Sequence, residues 1–377
     1  MPQPNLAGKS QPRSSIESAP RDRPTGLRAA AEPWIRFWFA PVDPIGMHAV
    51  RALVGLLTLA WLLSFHAEYE ALFGLSGWFD AQAYREAQDP LVLPDGSPVP
   101  LGWSAWFLAQ SPQAISAMYY GTVALAAMFT VGFATRVTGI LTWLSITSMT
   151  ENPALRYGGD VFLIVFWFSL ALGYAFYRWN DPSESVIWRV LGSRSAWLWV
   201  GRHDAGQGTG STAAGLAVRL LQVHMAIIMT TSGLHKLQVS EWWSGTALWL
   251  PRPNFDLSLD AALQTPVSPR LWLVILSLSA YAVVAWQISF PFLMWRPRAR
   301  SLMIVAAVAG CIAHAAVFRL PIFGPAVVIG SLAFLESAQW RRGLEIMRRW
   351  PVIAQLTTRG ARRPAEPSLE TIPKNLT

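Results

Sequence analysis

Residues 45–65, 114–133, 137–154, 161–179, 216–234, 271–295, 301–318 and 320–336 form eight apolar runs separated by polar segments. A helix needs about 20 apolar residues to cross the hydrocarbon of a bilayer, where each backbone polar group must be satisfied within the segment. The pattern predicts an all-α, polytopic integral membrane bundle of about eight transmembrane helices. The clearest run, 271–295, holds no charge. The weakest are 137–154, which reaches Glu151, and 320–336, which is short and contains Pro321, Pro325 and two glycines. Interrupted spans are tolerated where they are buried in protein or line a cavity.

Charge gives these runs a direction. With the N-terminus inside, the inner segments 1–44, 134–136, 180–215, 296–300 and 337–377, together with Arg178, carry 22 of the 30 Lys and Arg residues. The outer segments carry Arg85, Arg156, Lys236, Arg252, Arg270 and Arg319. Short basic loops such as Trp295-Arg-Pro-Arg-Ala-Arg300 are held on the cytoplasmic side, so both termini are expected to be cytoplasmic. Arg51 and Arg219 fall inside spans near their inner ends, where a long side chain is expected to snorkel to water. Trp78, Trp103, Trp106, Trp242 and Trp243 are then expected in the outer aromatic belt, and Trp179, Trp295 and Trp340 in the inner one.

Three regions follow. Residues 1–33, rich in Pro, Ser, Gly, Ala and Arg, read as a disordered basic tail without a secretory signal. Residues 34–340 form the membrane domain, opened by Trp34–Phe39, which is expected along the inner interface. Residues 341–377 read as a second basic, largely disordered tail.

Composition narrows the function. Only 14% of residues are charged and 53% are hydrophobic, whereas a soluble domain usually carries about 25% charge. The net charge of +8 lies in short inter-span segments instead of a folded basic stripe, which argues against nucleic acid as a partner and for membrane lipids. HExxH, paired CxxC, Walker, GxGxxG and GxSxG patterns are absent, so no protein-bound metal, nucleotide or serine-hydrolase chemistry is expected. Cys311 is the single cysteine, which excludes an internal disulfide.

Polar residues at membrane depth are costly and therefore informative. Glu151-Asn152-Pro-Ala-Leu-Arg156-Tyr-Gly-Gly-Asp160 joins the third and fourth runs. It reads either as a tight turn with Asp160 capping the next helix, or as part of a site. His235-Lys236, with Trp243 beyond, follows the fifth run. Lys236 is the only lysine between Lys9 and Lys374. Arginine keeps its charge almost anywhere, whereas a lysine taken out of water can act as a base. A snorkelling lysine is the plain alternative. His314 lies in the seventh run; His224 and Gln287 are expected to make helix-packing hydrogen bonds. In the eight-span topology Glu151, Arg156, Asp160, His235, Lys236 and Arg319 share the outer face, with His314 two-thirds of the way toward it.

Asn152-Pro with Gly158-Gly-Asp160, Gly233-Leu-His-Lys-Leu237 with Trp243-Ser-Gly-Thr-Ala-Leu248, and then His314 resemble the horizontally transferred transmembrane domain family. Asp43–Gly77 and Gly132-Phe-Ala-Thr-Arg136 resemble its opening segment and second turn, so the resemblance covers roughly residues 40–340. The family includes the vitamin K-dependent gamma-carboxylases, which use a reduced quinone and oxygen to make a strong base. The resemblance implies a quinol-dependent carboxylase or oxygenase in a cell membrane, the inner membrane if the source is bacterial. It implies Lys236 as base, His314 and Asp160 as supports, and a reduced vitamin K-like quinone near His235, Trp243, Glu151, Asn152 and Arg156. Gly-Gly-Asp160 stands where the animal enzymes carry a second histidine, and about 40 residues follow the last run, so glutamate is not implied as the substrate. The alternative is a non-catalytic membrane component for maturation or export of a secreted peptide or protein.

Overall fold

A computed structural model describes residues 27–88, 104–155, 159–179, 185–192, 210–248, 268–318 and 322–349. It is all-helical; among the described residues the β-pairing is one isolated bridge, Val42 to Ser211. The helices are α1 (Leu27–Phe39), α2 (Ile45–Ser64), α3 (Tyr69–Phe73), α4 (Ala81–Gln88), α5 (Pro112–Val131), α6 (Thr135–Thr150), α7 (Asp160–Phe176), α8 (Val186–Leu191), α9 (Thr212–Lys236), α10 (Ser240–Trp243), α11 (Pro269–Leu293), α12 (Pro297–Phe318), α13 (Phe323–Leu332) and α14 (Ser337–Arg348).

Each of the eight apolar runs is helical, but the helices differ in reach. Five stretches, Ile45–Ser64, Pro112–Val131, Thr212–Lys236, Leu273–Leu293 and Pro297–Ala315, are long and apolar enough to cross a membrane. At 1.5 Å per residue, α6 and α7 extend about 25 Å and α13 about 15 Å, short of the ~30 Å hydrocarbon thickness. Packing explains how short helices are accommodated. Neighbours meet in the order α2, α5, α6, α7, α9, α11, α12, α13, and α13 returns to α2. Helices α2, α7, α9 and α13 also meet across the middle. Two of the short helices, α7 and α13, are thus interior. The most apolar stretches of α11 and α12 are only 22% and 17% buried, against 61% for α2, so the outer helices turn leucine, valine and isoleucine outward. Close approach uses small residues, as at Gly55 against Thr130 and Gly173 against Ala217.

The expected snorkelling of Arg51 is corrected. Arg51 is 4% exposed; its guanidinium donates to Phe129 O at 3.0 Å and lies 5.7 Å from the Tyr174 ring centre. Phe129 belongs to the last turn of α5, and its carbonyl also accepts from Gly132 N at 2.8 Å, so Arg51 adds a second, charged donor there. That end turns at Gly132, with φ +86°, where a Cβ would overlap the Arg51 guanidinium. The same device recurs. Arg136 of α6, also buried, donates to Ala175 O at 3.0 Å and Tyr177 O at 2.6 Å, at the end of α7. Arg300 of α12 donates to Met294 O past α11 (3.3 Å) and to Glu336 and Gln339, which cap α14. Gln222 of α9 donates from Nε2 to Ala333 O past α13 at 3.0 Å, and Arg219 donates to Gln222 Oε1 at 2.8 Å. Arg219 itself is half-buried, with its guanidinium over the Phe37 and Trp295 rings. Asp43 with Arg341, and Gly46 against Trp340, join these ends into one face.

Other expectations are revised. Trp106 is 2% exposed, against Phe73, and so is a core residue instead of a belt residue. Trp103 lies outside the described residues. Helix α1 begins at Leu27, inside the segment read as a tail, and α14 extends seven residues past Arg341; residues 1–26 and 350–377 lie outside the described residues.

Replacing Arg136 with leucine strands two carbonyls that receive charge-assisted hydrogen bonds. It is expected to lower stability by about 3 kcal/mol. Arg136→Lys, without the fork that spans both carbonyls, is expected to fall between. Thermal unfolding of purified protein in detergent checks both, and equal midpoints for Arg136→Leu and wild type would remove the brace.

Candidate functional site

The opposite ends of the same helices frame a cavity of about 500 Å³. Its depth follows from helix rise. Phe323 opens α13 about 15 Å above the braced end at Ala333, and Lys236 closes α9 about 21 Å above Gln222. Val161 and Phe162 of α7, Ile228 and Met229 of α9, Val239, Trp242 and Phe323 give apolar walls. Thr231, Ser232, His235 and Lys236 form the polar corner. Val161, Thr231, His235 and Val239 are exposed and form a rim, with exposed Ile227 and Leu234 beside it. The opening is therefore bordered by apolar surface.

Lys236 is half-buried. Its Nζ donates to Ser232 Oγ at 2.8 Å and lies 3.4 Å from Ser232 O. It also sits 5.2 Å from the Trp242 ring centre, a cation–π distance. Position 232 precedes 236 by one helical turn, so the hydroxyl and the ammonium share a face. Ser232 also accepts from Gln287 Nε2 of α11 at 3.3 Å, the interhelical bond expected of Gln287.

The other expected site residues are distributed around this corner. His235 lines the cavity. His314 does not; its ring packs tilted against Phe323, 4.7 Å between ring centres, and Phe323 lines the cavity. Asp160 is 7% exposed and immediately precedes Val161 and Phe162, without lining the cavity itself. Gly159 is the N-cap of α7, so Asp160 is its first helical residue instead of its cap. A carboxylate there still faces the positive helix end. Its Oδ1 is buried without a hydrogen-bond partner among the described residues.

Asn152 is a structural tether. Fully buried, it donates from Nδ2 to Leu72 O at 2.6 Å and accepts from Ala154 N at 2.9 Å. Glu151 is the half-buried C-cap residue of α6. Trp243 is 64% exposed and points its Nε1 back at Leu237 O, 2.6 Å away. Its neighbour Trp242 faces the cavity instead. Arg156 and Arg319 lie outside the described residues. His224 bonds Leu220 O within its own helix at 2.8 Å and touches Phe168 edge-on. Sequence reading missed Ser232, Trp242, Phe162 and Phe323. Only Ser232 carried a signal, its four-residue spacing from Lys236.

Chemically, the corner offers one amine beside a hydroxyl and an indole, at the end of an apolar chamber. Among the described residues no group of three His, Cys, Asp or Glu could hold a metal. Asn152→Ala, which strips Leu72 O and Ala154 N of a partner, is expected to cost about 2 kcal/mol, read as a lowered unfolding temperature. Comparison with protein-family models, with curated proteins and with solved structures matches the chain to none of them.

Proposed function

We propose that this chain is a multi-pass membrane protein of the cell membrane that binds a reduced quinone in the outer half of the bilayer, as its resemblance to the horizontally transferred transmembrane domain family implies. In this reading all eight apolar helices lie within the bilayer. The braced arginine face and both termini are cytoplasmic, and the Lys236 corner faces outward. The observation that carries the reading is the Lys236 ammonium at the end of a chamber walled by Phe162, Met229, Trp242 and Phe323. A volume near 500 Å³ lies within the range of small-molecule sites. Aromatic and aliphatic walls suit a flat apolar ring, and the exposed Ile227 and Leu234 beside the rim suit entry from lipid.

A bound reduced quinone would supply the electrons for oxygen-dependent chemistry. The protein's part is to exclude water with the apolar walls and to place Lys236 Nζ where it can hold or take a ring-hydroxyl proton. His235 lines the same chamber. His314 acts behind Phe323, fixing that ring instead of contacting ligand. A carboxylase or oxygenase acting on a secreted peptide or protein is the catalytic form of this proposal. A non-catalytic maturation or export component is the second reading, favoured by the placement of His314 and Asp160 outside the cavity lining.

Topology is testable in a Cys311→Ala background. Ser240→Cys is expected to react with a membrane-impermeant maleimide on intact cells, and Arg342→Cys only after lysis. The reverse pattern would invert the orientation.

For the site, a naphthoquinol added to purified protein is expected to bind. Lys236→Ala and Lys236→Arg are expected to weaken binding at least about tenfold, or ~1.4 kcal/mol. His314→Ala is expected to have a smaller effect. Quinol oxidation is followed in the same variants, and turnover unchanged in all three would exclude the catalytic form.

A further inference from the structure

Two helices meet at the lysine corner, and one polar residue crosses between them. Gln287 of α11 is 5% exposed. It reaches Ser232 because Gly233 lets α11 approach: a Cβ at 233 would come within 3.0 Å of Ile288 and 3.2 Å of Gln287. This gives the Gly233-Leu-His-Lys236 motif a physical reason, since the glycine admits the helix that reaches the lysine's anchor. Ser232 Oγ receives both Lys236 Nζ, at 2.8 Å, and Gln287 Nε2, at 3.3 Å. Gln287 Oε1 is buried without a hydrogen-bond partner among the described residues. An amide nitrogen and oxygen exchange places by a half-turn. With Oε1 toward Ser232, the chain would run from Lys236 N–H to Ser232 O–H to Gln287 Oε1; in either orientation Ser232 Oγ joins the two side chains. Aligned hydrogen bonds of this kind strengthen one another in a low dielectric. Helix α11 holds the corner a second time, through Tyr281 OH donating to Trp243 O at 2.8 Å, beside the cavity-lining Trp242.

We propose that Gln287 is the positioning residue of the Lys236 site: through Ser232 it fixes the lysine amine at the cavity, so that α11 sets where the reactive nitrogen lies. The proposal rests on the reading of the cavity as the functional site, but its test needs no quinone.

Lys9 and Lys374, the two other lysines in the chain, are internal references. The full-length protein is treated briefly with formaldehyde and cyanoborohydride, and methylation of the three lysines is quantified by mass spectrometry. Gln287→Leu, Gln287→Met and Ser232→Ala are each expected to raise Lys236 modification relative to the references by about fivefold, the population change carried by one net hydrogen bond. Ser232→Thr, which keeps the hydroxyl, is expected to return the wild-type ratio. Wild-type ratios in the Leu, Met and Ala variants, or a Thr variant that behaves as Ala, would overturn the proposal. If those ratios hold while naphthoquinol binding still depends on Lys236, the positioning role falls and the binding function stands. A changed ratio with no naphthoquinol binding gives the opposite division.

Discussion

An α-helix ends in carbonyls that its own amides cannot reach, and in a water-poor bundle each one left alone is expensive. Here four helices, α5, α7, α11 and α13, bring such ends to one face. Each is met by a side chain from a helix running the other way: Arg51, Arg136, Arg300, and Gln222 held by Arg219. A guanidinium suits this task because it has five donors in a fixed fork and keeps its charge when buried. A lysine could satisfy one carbonyl at a time. The near absence of lysine between the chain's ends follows the same logic.

The braces fix one end of the bundle and leave the other free to vary in length. Helix α13, interior and only ten residues long, reaches up from the braced face and stops at Phe323. The longer α9 continues past that level to Lys236. The difference in reach leaves the chamber, with Phe323 at one side and the lysine corner at another. The braces and the chamber thus lie at the two ends of the same helices. A change in an arginine brace acts on folding, and a change at Ser232, Lys236 or Trp242 acts on the chamber.

Much of the helix plan was legible. Each apolar run marks a helix, five of them long enough to cross a membrane, because lipid and buried core both demand apolar side chains over a helix-length stretch. Outer tryptophans and tails were less legible. Trp106 has the composition of a belt residue but sits in the core against Phe73, and a sequence cannot say which neighbour will cover a ring. Arg51 read as a snorkelling residue because its span places it near an edge; its actual partner, Phe129 O, lies 78 residues away on another helix.

The sequence by itself determined an all-helical, apolar chain, the grouping of arginines at one set of helix ends, and Lys236 as the exceptional cation, since these depend only on residue type and spacing along one helix. Tertiary structure decided which residues share a space. It put Trp242 instead of Trp243 on the chamber, set His314 against Phe323 and off the chamber lining, made Asn152 a tether to Leu72, and brought Gln287 across to Ser232. Each of those outcomes turns on helix rotation and offset of a few ångströms, set by close contacts such as that of Gly233 with α11, which no single segment encodes.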